Sequence, residues 1–225
     1  MSISTRFGGL AFCALCVWLP AAHAASISYS QAIPLMTTNW TQDVTVPKFD
    51  PALGTLQRVI LELEGTVQGM ARFESLDPTA TKVTTNFKAN IRLRRPDLTD
   101  LVIALPKAQM SEEVSPHDGL VDFGGPSGRT YPNLLATQFE STILDAPLSP
   151  MDELLFVGAG QDVTLNVRAV GASTGSGSGN LLLLFNTSAE AGVTVTYEYI
   201  PIPEPTTALL FASMVPFLLR RRRRR

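Results

Sequence analysis

The sequence predicts an all-β fold, an antiparallel β-sandwich of jelly-roll-like type. The first observation is a period-two alternation of apolar and polar residues in several segments, which places the apolar side chains on one face of a strand. The second is the turn punctuation between those segments, as at Asp50-Pro51 and Gly124-Gly125. No long stretch shows the 3.6-residue period of an amphipathic helix. An open β-barrel is the alternative architecture.

The strand assignments follow this alternation along the chain. Residues 83–93 alternate most strictly, with Val83 and Phe87 on the apolar face. Residues 106–133 have little strand pattern and are predicted to form long loops at one end of the sandwich. Residues 171–179, rich in Gly and Ser, are predicted to form a mobile hairpin loop. The other predicted strands, in chain order, are 27–33, 43–46, 59–67, 70–76, 101–105, 138–144, 163–167, 181–185 and 193–199.

The N-terminal segment, residues 1–24, has the pattern of a cleaved signal peptide. Arg6 supplies the positive start, and residues 7–19 are almost entirely apolar. A run this short that ends in an Ala-x-Ala site is typical of an export signal and not of a spanning helix. We therefore expect a signal peptidase to remove it during export across the inner membrane. The residues that define the predicted cleavage site are Ala22, Ala24 and Ala25.

Both cysteines, Cys13 and Cys16, lie inside that predicted signal. The mature chain would therefore have no thiol, which excludes a disulfide framework and a thiolate metal site. The following residues 25–200 are long enough for one domain with a packed core. They contain 11 basic and 19 acidic residues, a net charge of −8. A surface of this sign repels anionic polymers, so nucleic-acid binding is disfavoured.

The C-terminal segment, residues 201–225, combines a Pro-Glu-Pro tripeptide, an apolar run over 206–219 and a terminal arginine cluster. The apolar run is short against the ~20 residues that span hydrocarbon as a helix. Arginines at its end can reach back to the interface, and a cationic cluster stays on the cytoplasmic side. We therefore expect a short transmembrane tail. The tripeptide is Pro203, Glu204 and Pro205, and the membrane stop is Arg220, Arg221, Arg222, Arg223, Arg224 and Arg225.

This order of features resembles the PEP-CTERM sorting signal of Gram-negative bacteria. The resemblance implies that the tail is recognised by an exosortase, a membrane-embedded cysteine transpeptidase-like enzyme that processes its substrates near the Pro-Glu-Pro. It also implies a transient tether to the inner membrane, followed by a position at the cell surface or outside the cell. The apolar run is shorter than the family usually shows, and Pro216 interrupts it. These departures favour recognition and removal of the tail over permanent anchoring.

A second resemblance lies in residues 48–56, Lys-Phe-Asp-Pro-Ala-Leu-Gly-Thr-Leu, and the strand that follows. This segment is similar to the choice-of-anchor domains, variant E among them, which are surface β-domains found with differing anchors. The resemblance covers most of residues 26–200 and implies no catalytic residues. On physical grounds, Asp50-Pro51 starts a turn, Gly54 permits a positive φ, and Leu56 begins a long strand.

The predicted mature domain offers few groups for catalysis. His117 is its single histidine, which excludes a multi-histidine zinc site, and no serine stands in a nucleophile-elbow context. We interpret His117 as a solvated turn residue. Asp118 and Asp122 are calcium candidates, because clustered loop carboxylates bind Ca²⁺. The sequence has no dense Asp-x-Asp-x-Asp array of the kind found in dedicated calcium loops. An ordinary acidic loop is the alternative interpretation.

Trp40 is the single tryptophan of the predicted mature domain. An exposed Trp40 could stack on a sugar ring, and a core position is the alternative. We therefore expect a non-enzymatic exported surface protein, with no cofactor apart from the calcium candidate. The expected partners are signal peptidase, exosortase and, as a candidate, exopolysaccharide, with no nucleic acid. A carbohydrate- or calcium-binding surface module is the alternative function.

Overall fold

The computed structural model describes residues 24–177 and 179–202, and this part of the chain is built almost entirely of antiparallel strands. It contains ten strands, a seven-residue α-helix and one turn of 3-10 helix over Pro51–Leu53. The strands are β1 (Ala25–Thr37), β2 (Trp40–Pro47), β3 (Gly54–Ser75), β4 (Thr81–Arg94), β5 (Asp100–Ala104), β6 (Lys107–Val114), β7 (Gly128–Asp145), β8 (Asp162–Gly171), β9 (Thr174–Ser176) and β10 (Leu181–Pro201), and the helix is α1 (Pro150–Phe156).

The first sheet, sheet I, has the strand order β1-β10-β3-β7. β10 and β3 pair antiparallel along nearly their whole length, from Leu181 opposite Ser75 at one end to Pro201 at the other. β1 begins at Ala25, which lies opposite Tyr199 of β10. The first and last described strands therefore run side by side, and the two ends of the domain lie at the same end of sheet I.

The second sheet, sheet II, is organised around the long strand β4. Along one edge of β4, β6 pairs with its first half and β5 with its second half. Along the other edge, β9 pairs with the first half of β4 and β8 with the second half. β2 pairs with the far edge of β8. The interruption between β5 and β6 falls at Pro106, which has no amide hydrogen to donate. The carbonyl of Pro106 still accepts a hydrogen bond from the Ala89 amide at 3.2 Å.

The chain crosses between the two sheets at most of its connections. β4, β5 and β6 follow one another within sheet II, as do β8 and β9, while every other described connection joins sheet I to sheet II. Neighbouring strands within a sheet are therefore mostly distant in sequence. This connectivity gives two layers whose inner faces are buried against each other.

Apolar side chains from both sheets meet in a shared core. Leu61 and Leu63 of β3 and Ile91 and Leu93 of β4 have no exposed surface. Each strand contributes alternate residues, as the pleat requires. Burial of a side chain of this size contributes roughly 1.5–3 kcal/mol, so the strand alternation is also the main source of stability. Other fully buried core residues are Val59, Phe87, Leu165, Val167, Val195 and Tyr197.

The strongly alternating segments are confirmed as strands. Residues 83–93 lie in β4, and residues 163–167 lie in β8. The predicted pairs 59–67 with 70–76 and 181–185 with 193–199 are each one continuous strand, β3 and β10. β3 keeps its direction through the irregular register near Gly69, so the two apparent strands were halves of a single one.

Three segments differ from the prediction. Residues 106–133 are not all loop, because they include β6 and the start of β7. The Gly/Ser segment includes β9, whose Gly175 packs on Leu183, where a Cβ would come within 2.6 Å of that side chain. α1 has no counterpart in the prediction. Its N-terminus is capped by the side chain of Ser149, which accepts a hydrogen bond from the Asp152 amide at 3.2 Å.

Candidate functional site

The strongest candidate site surrounds Glu74, which lies near the end of β3 and has no exposed surface. Its neighbour Phe73 belongs to the buried interior, and successive side chains of a strand point to opposite faces. Glu74 therefore projects from the outer face of sheet I, where a carboxylate is normally solvated. Its burial comes from the loop between β6 and β7, residues 115–127, which we call the covering loop.

Ser127, at the end of the covering loop, fixes the carboxylate of Glu74. The Ser127 hydroxyl donates a hydrogen bond to Glu74 Oε1 at 2.7 Å. The Ser127 hydroxyl oxygen in turn accepts a hydrogen bond from the Asp118 amide at 3.4 Å. Ser127 is itself fully buried. One hydroxyl group thus links the strand residue Glu74 to the loop residue Asp118.

Backbone hydrogen bonds hold the covering loop over the strand. The Ser115 amide donates to the Pro126 carbonyl at 3.0 Å, which closes the loop on itself. The His117 amide donates to the Asp77 carbonyl at 2.9 Å, which attaches the loop to the segment after β3. These two attachments place His117 and the residue after it beside Glu74.

Glu74, His117 and Asp118 converge in this way. Each offers one potential ligand atom, and these atoms lie within 4.8 Å of one another. Glu74 Oε2 and His117 Nδ1 are buried atoms without a hydrogen-bond partner among the described residues. Burial of an unpaired polar atom costs free energy, and most buried polar atoms in proteins have a partner. The arrangement therefore has the chemistry of a cation-binding site.

Two glycines make room for the carboxylate oxygens. A Cβ on Gly128, the register partner of Glu74 on β7, would sit 2.2 Å from Glu74 Oε2. A Cβ on Gly125 would sit 2.7 Å from Asp118 Oδ2. Gly125 also has a φ of +63°, which glycine adopts without strain. The close approach of loop and strand thus depends on both glycines.

The two calcium candidates separate in the structure. Asp118 belongs to the convergent group, and its Oδ1 also accepts a hydrogen bond from the Leu120 amide at 2.9 Å. Asp122 instead closes its own turn, because its Oδ1 accepts from the Gly124 amide at 2.8 Å. The residue that joins Asp118 is Glu74, which is 44 positions earlier in the chain.

His117 was expected to be a solvated turn residue, but one side of its ring is buried. His117 is only partly exposed, and its Nδ1 is a buried atom. Sequence reasoning also missed Glu74, because residues 71–75 follow the ordinary in-and-out pattern of a strand and an outward glutamate is expected to be solvated. Its burial is a tertiary effect of the covering loop.

Trp40 does not form a sugar platform. Its side chain is 9% exposed and belongs to the core, and its Nε1 donates a hydrogen bond to the Ala189 carbonyl at 3.2 Å. Trp40 is the first residue of β2, and its indole is covered because the side chain packs inward between the sheets. The structure therefore corrects the sugar-platform prediction in favour of the core alternative.

An exposed aromatic residue lies elsewhere, on the outer face of sheet I. Phe139 of β7 is 70% exposed. Its register partner on β3 is Glu64, whose own partner on β10 is Gly192. Because Gly192 has no side chain, the row is open on the β10 side of Glu64, and Phe139 lies on the other side of Glu64. Glu62 and Glu140 also line this surface, which we call the Phe139 groove.

A charged pair joins the two sheets close to the covering loop. Arg129 Nε lies 2.6 Å from Glu112 Oε2, which links β7 to β6. This hydrogen bond and the charge of Glu112 raise the pKa of Arg129. Burial, followed by a hydrogen bond to Glu112, raises the pKa of Tyr131 to about 12. The arginine therefore stays charged and the tyrosine neutral over the ordinary pH range.

The remaining predicted site residues are at the ends of the chain. Ala24 is exposed, and Ala25 begins β1. Within residues 24–177 and 179–202, no helix has the length and apolar character needed to cross a bilayer. The predicted residues that lie outside the described part are Ala22, the sorting tripeptide Pro203, Glu204 and Pro205, and the arginines 220–225.

Comparisons with known proteins add little. No model of a protein family matches the chain, and no curated protein matches it. Among solved structures, a chain of the infectious bursal disease virus Gt strain aligns at 13% identity and a TM-score of 0.11, over 82% of this chain and 43% of the viral one. A VP2 subviral particle of that virus aligns at 13% identity and a TM-score of 0.12, over 88% and 49%. This chain thus spans less than half of these viral chains, and likeness at this level carries no conclusion.

Proposed function

We propose that this protein is a non-enzymatic exported surface protein, whose domain is displayed outside the inner membrane and whose tail is processed by an exosortase. The observation that carries the proposal is where the folded domain begins and ends in the sequence. β1 begins at Ala25, the residue expected at the mature N-terminus, and β10 ends at Pro201, just before the tripeptide. The folded domain thus occupies the interval between the two predicted processing signals.

The proposed fold is a jelly roll. Its support is the strand order, β1-β10-β3-β7 in one sheet and β2-β8-β4-β5 in the other, with β6 and β9 as continuations along β4. The repeated crossing between sheets supports the proposal, because a jelly roll is built of two Greek keys. Such a fold presents two broad outer faces and needs no disulfide, in agreement with a mature chain without cysteine.

Residues 48–56 hold the chain where the tail begins. The Ile202 amide donates a hydrogen bond to the Leu53 carbonyl at 3.2 Å, and Phe49 packs against Tyr199 with ring centroids 5.3 Å apart. Folded structure therefore extends to the residue before Pro203. The tripeptide follows directly after the last residue of this folded structure. We therefore expect a processing enzyme at the membrane to recognise the tail itself and not the domain.

Mass spectrometry of the mature C-terminus tests this proposal. The chain is expressed in a strain with the exosortase and in a matched strain without it. We expect residues 206–225 to be lost only where the enzyme is present, and to be retained in both strains when the tripeptide is replaced by alanines. Thr206→Ala with Thr207→Ala is the matched control and should be processed normally. Persistence of residues 206–225 to an equal extent in both strains would overturn the proposal.

The second candidate function is binding of a carbohydrate in the Phe139 groove. An exposed aromatic ring beside carboxylates and a glycine is suited to stack on a sugar and to accept its hydroxyl hydrogens. Phe139→Ala should then abolish retention on an exopolysaccharide column. Leu135→Ala, an exposed apolar residue on the same face of β7 that is 62% exposed, is the control. Equal retention of both variants and the wild type excludes this groove.

A further inference from the structure

We propose that Glu74, His117 and Asp118 bind a divalent transition-metal ion of the zinc class. The ligand set is one imidazole nitrogen and two carboxylate oxygens, drawn from a strand and from the covering loop. Zn²⁺ accepts both kinds of ligand, whereas Ca²⁺ and Mg²⁺ prefer oxygen alone. Three protein ligands also leave a coordination position for water or an external group.

The burial of Glu74 is the independent observation that turns three neighbouring side chains into a built site. Glu74 has no exposed surface, and its Oε2 has no hydrogen-bond partner among the described residues. A carboxylate in this position is costly unless a cation compensates its charge. His117 Nδ1, the other buried atom without a partner, is the nitrogen that a metal would take. A single bound ion satisfies both atoms.

The supporting contacts of Glu74 are those expected around a metal ligand. The Ser127 hydroxyl holds Oε1, so that the unpaired Oε2 is kept in one orientation. Gly128 leaves the space that Oε2 occupies, since a Cβ there would come within 2.2 Å of it. In a tetrahedral zinc site, ligand atoms lie roughly 3.4 Å apart. The observed limit of 4.8 Å therefore requires only a small inward movement of the covering loop.

The ion would fasten the covering loop to sheet I. Two of its ligands lie on residues 115–127 and the third on β3, so binding in the folded state closes a connection that the unfolded chain lacks. The site is also far from the ends of the domain. Glu74 lies opposite Leu182, near the start of β10, whereas Pro201 ends that strand roughly 60 Å away at about 3.3 Å per residue. The metal would therefore lie at the end of sheet I opposite Pro201.

Calorimetry and thermal melting of the exported mature protein test this inference. The protein is purified without a histidine tag, stripped with a chelator and titrated with Zn²⁺ alone. We expect one Zn²⁺ per chain. At a free concentration near 100 times the Kd, the melting temperature should rise by roughly 5 °C or more. Affinity should fall as the pH is lowered, because protons compete with the metal ion for its ligand atoms.

Variants of the loop ligands identify the site without disturbing the strand. His117→Ala and Asp118→Asn should each weaken Zn²⁺ binding by at least about tenfold, while both remain folded without metal. Asp122→Asn is the matched control, four residues from Asp118 and outside the group, and should bind as the wild type does. Absence of stoichiometric Zn²⁺ binding, or equal affinity in all three variants, would overturn the proposal. A melting shift with Ca²⁺ and none with Zn²⁺ would overturn the choice of ion. None of these outcomes depends on the processing of the tail.

Discussion

Gly54 lies against the backbone of Ile200 so closely that a Cβ on Gly54 would sit 2.1 Å from the Ile200 carbonyl oxygen. Gly54 begins β3, and Ile200 is the penultimate residue of β10. Residues 48–56 therefore have a local structural role, because Gly54 allows the first residues of β3 to pair with the last residues of β10.

Gly54→Ala should lower the free energy of unfolding by about 2–4 kcal/mol, because the added methyl group meets backbone atoms that cannot move without disrupting the pairing of β3 with β10. Urea unfolding measures this difference. Gly192→Ala is the control, since a Cβ there would meet its nearest atoms, in Glu64, at an ordinary 3.6 Å. The control should change stability by no more than about 0.5 kcal/mol in the destabilising direction. An equal loss in both variants contradicts the close-approach explanation.

Trp40→Ala should destabilise the protein by about 3–5 kcal/mol, the range for removal of a large core side chain. Trp40→Phe should be less destabilising, because the phenyl ring keeps most of the side-chain volume. Its remaining cost includes the loss of the hydrogen bond to the Ala189 carbonyl. In the mature wild type, Trp40 fluorescence should be shifted to the blue, resist quenching by iodide and remain unchanged when exopolysaccharide is added. Emission typical of a water-exposed indole in the native protein would contradict the buried position.

The strands that could be predicted from sequence are those whose two faces differ in polarity. β4 alternates strictly because one face contributes to the core and the other meets solvent. β6 was missed because Glu112 occupies one of its half-buried positions, where an apolar residue is expected. The ion pair with Arg129 compensates the cost of half-burying the Glu112 carboxylate, and Arg129 lies on another strand, β7. Sequence patterns cannot report such a compensation.

The candidate site was hidden for a related reason. The local pattern around Glu74 predicts an outward and solvated carboxylate, and only the path of the covering loop buries it. Ser127, which bonds to it, is 53 positions away. Asp118 was singled out because it lies in an acidic loop, and its partner on β3 had no local signal. α1 begins with a local start signal, Ser149-Pro150, but the helix is too short to show a helical periodicity.

Arg95 and Asp152 form an ion pair that attaches α1 to the loop after β4. Arg95 Nε and Nη2 donate to Asp152 Oδ1 at 3.0 and 2.8 Å, and Asp152 is 8% exposed. Removal of one partner leaves the other charge partly buried and unpaired. Asp152→Ala should therefore lower the free energy of unfolding by about 2–4 kcal/mol, including loss of the contact with the capping residue Ser149.

A double-mutant cycle with Arg95→Ala separates the pair from the cap. If the pair contributes, the double variant should be less destabilised than the sum of the two single variants. The exposed pair Arg92–Asp100, whose side chains are 41% and 32% exposed, is the control and should show a coupling of about 1 kcal/mol or less. Additive effects in the Arg95–Asp152 cycle would show that the cap alone matters.

The raised pKa values of Tyr197 and Tyr131 lead us to expect a loss of stability in alkaline solution. Burial raises the pKa of Tyr197 well above its usual range, and its hydroxyl donates a hydrogen bond to the Pro47 carbonyl at 3.0 Å. Burial also raises the pKa of Tyr131 to about 12. In the unfolded chain a tyrosine loses its proton near pH ~10. Above that pH the unfolded state binds fewer protons than the folded state, so stability falls as the pH rises, and the contribution is fully present below pH ~10.

Tyr197→Phe should therefore be less stable than the wild type at neutral pH by about 1 kcal/mol, the net value of one hydrogen bond. It should also lose less stability than the wild type between pH ~10 and pH ~12, because one of the groups whose ionisation favours unfolding has been removed. Urea unfolding at several pH values, with the absorbance of tyrosinate as a second readout, measures both effects. Tyr131→Phe should show the same flattening without the loss of the Pro47 contact. Parallel stability curves for the wild type and both variants across this range would mean that neither phenol holds its proton through burial.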